Sequence, residues 1–134
     1  MSATVVDASA LVELLLQTDR GARVESLLVE VGFDLHVPAL ADVEVLSVLR
    51  RALRLRRMTR TRFAEAVEDY LDLPLSRHRH LELIPVIVSL SDNFSAYDAA
   101  YAALAHRLGS PLLTADRRLA TAAQRHLRIE VRQV

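Results

Sequence analysis

The sequence predicts an α/β fold in which a central, mostly parallel sheet lies between two layers of helices and carries a helical insert. Short apolar runs typical of buried strands recur along the chain, and segments with helical spacing of apolar residues separate them. The 134 residues are 51% apolar and 25% charged, which is typical of one globular domain with a sizeable core. We therefore expect a single domain over residues 1–134.

The first half of the chain alternates the two kinds of segment. Gly32 is placed to end the second helix, Pro38 ends the second strand, and Thr59 or Thr61 is placed to cap the insert before Pro74. The predicted elements are strands at 4–6 and 35–37 and helices at 9–17, 20–31, 41–54 and from Thr59 or Thr61 to Leu71.

The second half of the chain contains one ambiguous segment, residues 76–93. Val86, Ile87 and Val88 favour a strand there, although the segment is also compatible with a short helix. Gly109 is placed to end a strongly patterned helix. The other predicted elements are helices at 96–108 and 117–123 and strands at 112–114 and 129–131.

The composition excludes several classes of protein. There is no cysteine, which excludes disulfides and thiolate zinc sites, and all 17 basic residues are arginine, which excludes P-loop and Schiff-base chemistry. Asp7 and Glu13 interrupt the apolar N-terminal run, and no window approaches the roughly 18 apolar residues of a membrane span. We expect a cytoplasmic protein without a membrane segment.

Four carboxylates are predicted to meet at one edge of the sheet. Asp7 directly follows the first strand and Asp116 follows a later one, while Glu44 and Asp98 lie in the first turns of two helices. In a parallel sheet, strand ends and the starts of crossover helices share one edge, which is where such folds bind ligands. The topology therefore brings acids that are far apart in sequence to one rim.

Each acid also has a purely structural interpretation, which is the commoner one for any of them singly. Asp7 and Asp116 can be helix caps, Ser95 to Asp98 has the spacing of a capping box, and Asp42 competes with Glu44 as the acid of its helix. The conjunction favours a site, because clustered carboxylates repel one another unless a cation neutralises them. Oxygen ligands select Mg²⁺ or Mn²⁺, which suit phosphodiester hydrolysis.

Four motifs carry these acids. They are V-V-D-A-S-A-L at 5–11, P-A-L-A-D-V-E-V-L-S-V-L-R-R at 38–51, A-Y-D-A-A-Y-A-A-L-A at 96–105 and L-T-A-D-R-R-L at 113–119. In this order, and over nearly the whole chain, they resemble the motifs of the PIN-domain ribonucleases, in particular the VapC toxins of bacterial toxin–antitoxin pairs. The resemblance implies a PIN-like three-layer α/β/α sandwich, with the segment from Thr59 to Asp72 in the place of the family's protruding helices.

The resemblance also implies a metal-dependent endoribonuclease toxin that is restrained by a VapB-like antitoxin. The acidic site would consist of Asp7, Glu44, Asp98 and Asp116. Asp7 and Asp98 would bind Mg²⁺ or Mn²⁺, Asp116 would bind a second ion or a metal-bound water, and Glu44 would orient or deprotonate the attacking water. Ser9 and Thr114 would be hydroxyl supports or ordinary cap and strand-end residues.

Two further expectations concern partners, and one rival interpretation concerns function. A PIN toxin is expected to form a homodimer and, with antitoxin, a heterotetramer or a larger assembly. The rival interpretation is a catalytically inactive PIN-like module that binds RNA or protein. Retention of all four acids argues against that rival.

Basic and aromatic residues leave alternatives open. Seven arginines lie between Arg50 and Arg62 with no acid among them, which fits a solvated helix end, an antitoxin contact or an RNA-phosphate surface. His78 and His80 are expected to contact solvent or RNA, since no third metal ligand is nearby. Tyr97 and Tyr101 are expected to pack in the core or to form a self-association face.

Overall fold

Five short parallel strands form one sheet in the computed structural model, which describes residues 2–134. The strands are β1 (Thr4–Val6), β2 (Leu35–Pro38), β3 (Leu75–His78), β4 (Leu112–Thr114) and β5 (Val131–Gln133). Their spatial order is β3-β2-β1-β4-β5, and every pair is parallel. The carboxyl ends of β1 and β4 therefore lie side by side at the centre of one edge.

Seven α-helices cover the two faces of this sheet. They are α1 (Ala8–Leu16), α2 (Asp19–Val31), α3 (Ala41–Arg54), α4 (Arg60–Asp72), α5 (Ile84–Ser89), α6 (Ala96–Leu108) and α7 (Arg117–His126). Right-handed crossovers place α1 to α4 on one face and α5 to α7 on the other. The predicted α/β/α sandwich with its parallel sheet and its insert, α4, is confirmed.

The core lies where the central strands meet the helices. Val5 and Val6 of β1 and Leu112 of β4 are fully buried, as the near-continuous apolar runs of central parallel strands require. The helix α6 is buried on nearly all sides, because Ala99, Ala102 and Ala103 let it lie close against the strands. This close packing fixes the start of α6 at the edge where β1 and β4 end.

Two local expectations need correction, and the choice between Thr59 and Thr61 is settled. Residues Val86 to Val88 lie in α5, and Pro85 occupies the first turn of that helix, so the strand that their β-branched side chains favour is wrong. The strand that the segment does contain, β3, comes earlier. The last strand begins at Val131, two residues later than expected, and Thr59 caps α4.

No helix among residues 2–134 is both long enough and apolar enough to cross a membrane.

Candidate active site

Asp7 lies at the junction of β1 and α1, where its carboxylate is buried. Its Oδ1 accepts a hydrogen bond from the Ser9 hydroxyl at 2.6 Å and from the Ala10 N–H at 3.2 Å, so Asp7 is also the N-cap of α1. Only 5% of Asp7 is exposed, and this burial raises the pKa of its carboxyl to about 6. The interpretation of Asp7 as a helix cap is therefore correct. Capping alone does not require a buried carboxylate, so the cap does not account for the burial of Asp7.

A hydroxyl pair joins the Asp7 junction to the end of β4. The Ser9 hydroxyl lies 3.3 Å from the Thr114 hydroxyl and accepts a hydrogen bond from the Ala115 N–H at 3.0 Å. The Thr114 hydroxyl accepts from the Asp116 N–H at 2.9 Å. Ser9 and Thr114 thus fix the backbone that carries Asp7 relative to the backbone that carries Asp116, which makes them supports of the rim.

Asp116 and Asp98 lie at the starts of the two helices that flank this junction. Asp116 caps α7 by accepting from the Arg118 N–H at 2.9 Å, and the Asp98 N–H donates to the Ser95 cap at 3.1 Å. Partial burial raises the pKa of Asp98, and the negative charge of Asp116 raises it further. The same Asp116 charge adds to the pKa rise of Asp7, so these carboxylates share one electrostatic neighbourhood.

Glu44 joins the group from the opposite layer of helices. Its Oε1 accepts a hydrogen bond of 2.6 Å from the hydroxyl of Tyr101, which lies on α6 one turn after Asp98. Burial raises the pKa of Glu44, the Tyr101 hydrogen bond lowers it, and the charge of Asp98 raises it. The structure therefore brings Glu44 towards the same rim as Asp98.

The rival acid Asp42 is engaged elsewhere. Both of its carboxylate oxygens lie 2.9 Å from Nε of Arg77, and Oδ1 also accepts from the Tyr70 hydroxyl at 2.6 Å. The guanidinium of Arg77 lies 5.9 Å from the centre of the Tyr70 ring. Asp42 is thus neutralised by an ion pair that ties α3 to α4 and β3, whereas Glu44 has no cation partner among residues 2–134.

The side chains of the rim offer mainly carboxylate and hydroxyl oxygens, which are the ligands that a hard divalent cation prefers. Burial of Asp7 and the mutual repulsion of the neighbouring carboxylates both favour a bound positive charge. In the part of the chain that the structure describes, however, no three acidic or histidine side chains lie close enough together to hold a metal ion. The rim is therefore a set of acidic neighbours rather than a closed ligand set.

Sequence reasoning missed the role of Tyr101 and misjudged other residues. Tyr101 is buried, as expected for core packing, but its hydroxyl donates a hydrogen bond to Glu44 of the rim. Tyr97 is 64% exposed, so the expectation of core packing is wrong for it. His78 contacts His36 at 2.8 Å between ring nitrogens, and His80 accepts from the Leu40 N–H at 2.9 Å. His78 therefore lies at the end of β3 and not in a loop, and both histidines have partners within the chain, while their contact with RNA stays a prediction.

We expect Tyr101→Phe to raise the pKa of Glu44, because the variant removes only the hydroxyl that stabilises the ionised carboxylate. Loss of this hydrogen bond to a charged group should also lower the free energy of unfolding by about 1.5–3 kcal/mol. Carbon-detected NMR titration and urea unfolding measure the two effects. The control is Tyr97→Phe on the exposed side of the same helix, and an unchanged Glu44 pKa in Tyr101→Phe would contradict the assignment.

With this geometry established, comparison with known proteins identifies the family. The family model described as the PIN domain matches residues 4–124, and the chain belongs to this family. The chain is similar to Ribonuclease VapC3 of Mycobacterium tuberculosis, with 40% identity over 119 residues that cover 88% of this chain and 85% of the relative. It is also similar to Ribonuclease VapC12 of the same organism, with 37% identity over 127 residues, 95% of this chain and 97% of the relative.

Solved structures agree on the fold. The crystal structure of PAE2754 from Pyrobaculum aerophilum superimposes with a TM-score of 0.73 at 22% identity, covering 97% of this chain and 83% of that one. The crystal structure of VapBC2 from Rickettsia felis, bound to a DNA fragment from their promoter, gives a TM-score of 0.71 at 10% identity, with 98% of both chains covered. The resemblance inferred from the four motifs is confirmed at the level of the family.

Proposed function

We propose that this chain is a metal-dependent endoribonuclease that acts in the cytoplasm as the toxin of a type II toxin–antitoxin pair. The observation that carries the proposal is the buried Asp7 carboxylate, with its raised pKa, at the junction beside Asp98, Asp116 and Glu44. Relatives named as VapC ribonucleases, at 37–40% identity over most of their length, support the same activity.

We assign the following roles to the acids of the rim and to the residues beside them. Asp7, Asp98 and Asp116 would hold Mg²⁺ or Mn²⁺, which supplies charge neutralisation at the phosphoryl centre and an activated water when bound. Ser9 and Thr114 hold the backbones of Asp7 and Asp116 in register. Glu44, held by the Tyr101 hydroxyl, would orient the attacking water or accept its proton.

Mapping of RNA ends after expression tests this activity. We expect cells that express the wild-type chain to accumulate RNA fragments with discrete new ends, and cells that express Asp7→Asn to lack them. Equal fragment patterns in both would contradict hydrolysis at this site. Absence of new ends with wild type would favour the inactive RNA- or protein-binding module.

The partner that the proposal requires is a VapB-like antitoxin. A groove of about 1350 Å³ lies along α3 and the start of α4 and combines apolar with arginine side chains. Its apolar residues include Leu46, Leu53, Met58 and Phe63. Such a surface suits an amphipathic acidic segment of an antitoxin. Its arginines are also suited to contact RNA phosphates.

We also propose a homodimer, which would assemble with antitoxin into a heterotetramer or a larger complex. Light scattering of the purified chain is expected to give about twice the 15.0 kDa chain mass. A mass of one chain across the accessible concentration range would contradict the dimer.

The arginines of the α3–α4 connection provide a separate test. Arg56, Arg57 and Arg60 are exposed and form no ion pair within residues 2–134, whereas Arg62 pairs with Glu65 and donates to the Leu15 carbonyl. Replacing Arg56, Arg57 and Arg60 together by Gln should raise KM for RNA and leave kcat unchanged, because phosphate contacts bind ground and transition states alike. On single strands, three lost contacts should flatten the slope of log affinity against log salt by about 2.

Steady-state cleavage of one labelled RNA at several salt concentrations measures both quantities. An unchanged salt slope with normal cleavage would mean that these arginines serve the antitoxin or only solvent.

A further inference from the structure

The helix α7 and the loop after it carry a second group of cations that the acidic rim does not use. Between residues 117 and 128 the chain has no acid. None of the arginines of α7 forms an ion pair with another side chain of residues 2–134. The arginines of this segment are Arg117, Arg118, Arg125 and Arg128, and His126 lies among them.

Helix stability does not explain this arrangement. Arg117 and Arg118 occupy the first turn of α7, where the positive end of the helix dipole disfavours cations. The helix dipole favours a cation in the last turn, where Arg125 lies. Both arginines at the start are exposed, so neither gains from packing in the core.

The cations border a groove beside the acidic rim. The groove has a volume of about 400 Å³ and is lined by Arg117, Arg118, Thr121, Ala122, Arg125 and His126. At one end, the Arg118 N–H donates a hydrogen bond of 2.9 Å to the Asp116 carboxylate of the rim. At the other, the His126 ring meets the ring of Phe94 edge-on at 6.3 Å, and Phe94 lies four residues before Asp98. The groove therefore runs beside the segment from Phe94 to Asp98, which leads into the rim.

We propose that this α7 groove binds the phosphates of single-stranded RNA next to the bond that the acidic rim cleaves. The proposal rests on the proposed function and adds the surface that positions the substrate. Arg118 and Arg125 are two helical turns apart, about 10 Å along the axis, so they contact separate phosphates of one strand. An arginine-lined groove of this kind is a common way to track a single strand without reading its sequence.

The chemistry of the groove favours RNA over a protein partner. Protein interfaces depend on large apolar or aromatic side chains seated in desolvated pockets, and the α7 groove offers only Ala122 and the His126 ring. The groove along α3 has Leu53, Met58 and Phe63 and is the better protein surface. The α7 groove therefore has fewer apolar anchors for a protein partner than the α3 groove has.

Binding measured without cleavage tests the proposal. In an Asp7→Asn background with EDTA, fluorescence anisotropy reports binding of a labelled, unstructured RNA of ten nucleotides at several salt concentrations. Arg118→Gln with Arg125→Gln should flatten the slope of log affinity against log salt by about 1.4 and weaken binding roughly tenfold. The matched control is Arg20→Gln with Arg23→Gln on exposed positions of α2, which removes the same charge and should leave the slope unchanged.

An unchanged slope in the α7 variant, or an equal loss in the α2 control, would overturn the groove assignment. Cleavage by the chain with an otherwise normal Asp7 site is measured separately, so failure of the nuclease activity is distinguishable from failure of the groove. An α7 variant that retains RNA binding but loses binding to purified antitoxin would assign the groove to protein and overturn the proposal.

Discussion

Asp7→Asn is expected to abolish RNA cleavage while preserving the fold and RNA binding. The substitution removes a buried charge that would hold the metal, whose charge stabilisation of several kcal/mol in the transition state corresponds to roughly 10²- to 10⁴-fold in rate. Asn keeps an Oδ1 that accepts from Ser9 and from the Ala10 N–H, so the cap of α1 survives. Binding of RNA should be equal or tighter, because a carboxylate that repels phosphate has gone.

The same variant should be more stable than the wild type at neutral pH in the absence of metal. The pKa of Asp7 is raised from its usual 3.8 to about 6 in the fold, so stabilisation by its protonated form is present below pH 4 and lost as the pH rises through 6. At pH 7 the ionised Asp7 therefore lowers the free energy of unfolding by up to about 3 kcal/mol. Asn carries no charge and avoids this loss of stability.

Urea unfolding of both proteins in EDTA measures this difference. The two curves should diverge between pH 4 and pH 7 and lie close together at pH 4. Greater stability of the wild type at pH 7 would show that the buried carboxylate is already compensated within the chain.

Asp98→Asn should weaken binding of Mg²⁺ or Mn²⁺ by at least about a hundredfold, because partners that merely orient metal ligands already contribute 10- to 100-fold. Isothermal titration of each ion against wild type and variant measures the effect. Asp92→Asn is the matched control, since Asp92 is an exposed acid of the same segment. Equal binding by wild type and Asp98→Asn would remove Asp98 from the ligands.

Most of the fold was predictable because its signals are local. The helix over 96–108 was placed correctly because a Ser95 cap and a Gly109 end bracket an alanine-rich run. The strand Leu75–His78 was missed because it is an edge strand, largely exposed, whose L-S-R-H sequence has no β-branched residue. The segment that forms the helix Ile84–Ser89 is ambiguous from sequence, because its valines and isoleucines favour a strand whereas Pro85 suits the first turn of a helix.

The candidate site also has a part that the sequence predicts and a part that it does not. The acids were predictable from topology, since Asp7 and Asp116 follow neighbouring parallel strands. The Tyr101 hydroxyl was not, because a tyrosine in an apolar helix gives no sign of its partner on another element. Its spacing of three residues from Asp98, on the same helix face, was the available signal.

Cleavage of RNA by the purified chain tests the central claim most directly. The chain is stripped of metal with EDTA, dialysed, and incubated with labelled RNA alone, with Mg²⁺ or with Mn²⁺, beside Asp7→Asn under the same conditions. A metal-dependent nuclease cleaves only after an ion is restored, and Asp7→Asn does not cleave under any of the conditions. Cleavage by the metal-free chain, or equal cleavage by Asp7→Asn, would contradict hydrolysis at the four-acid rim.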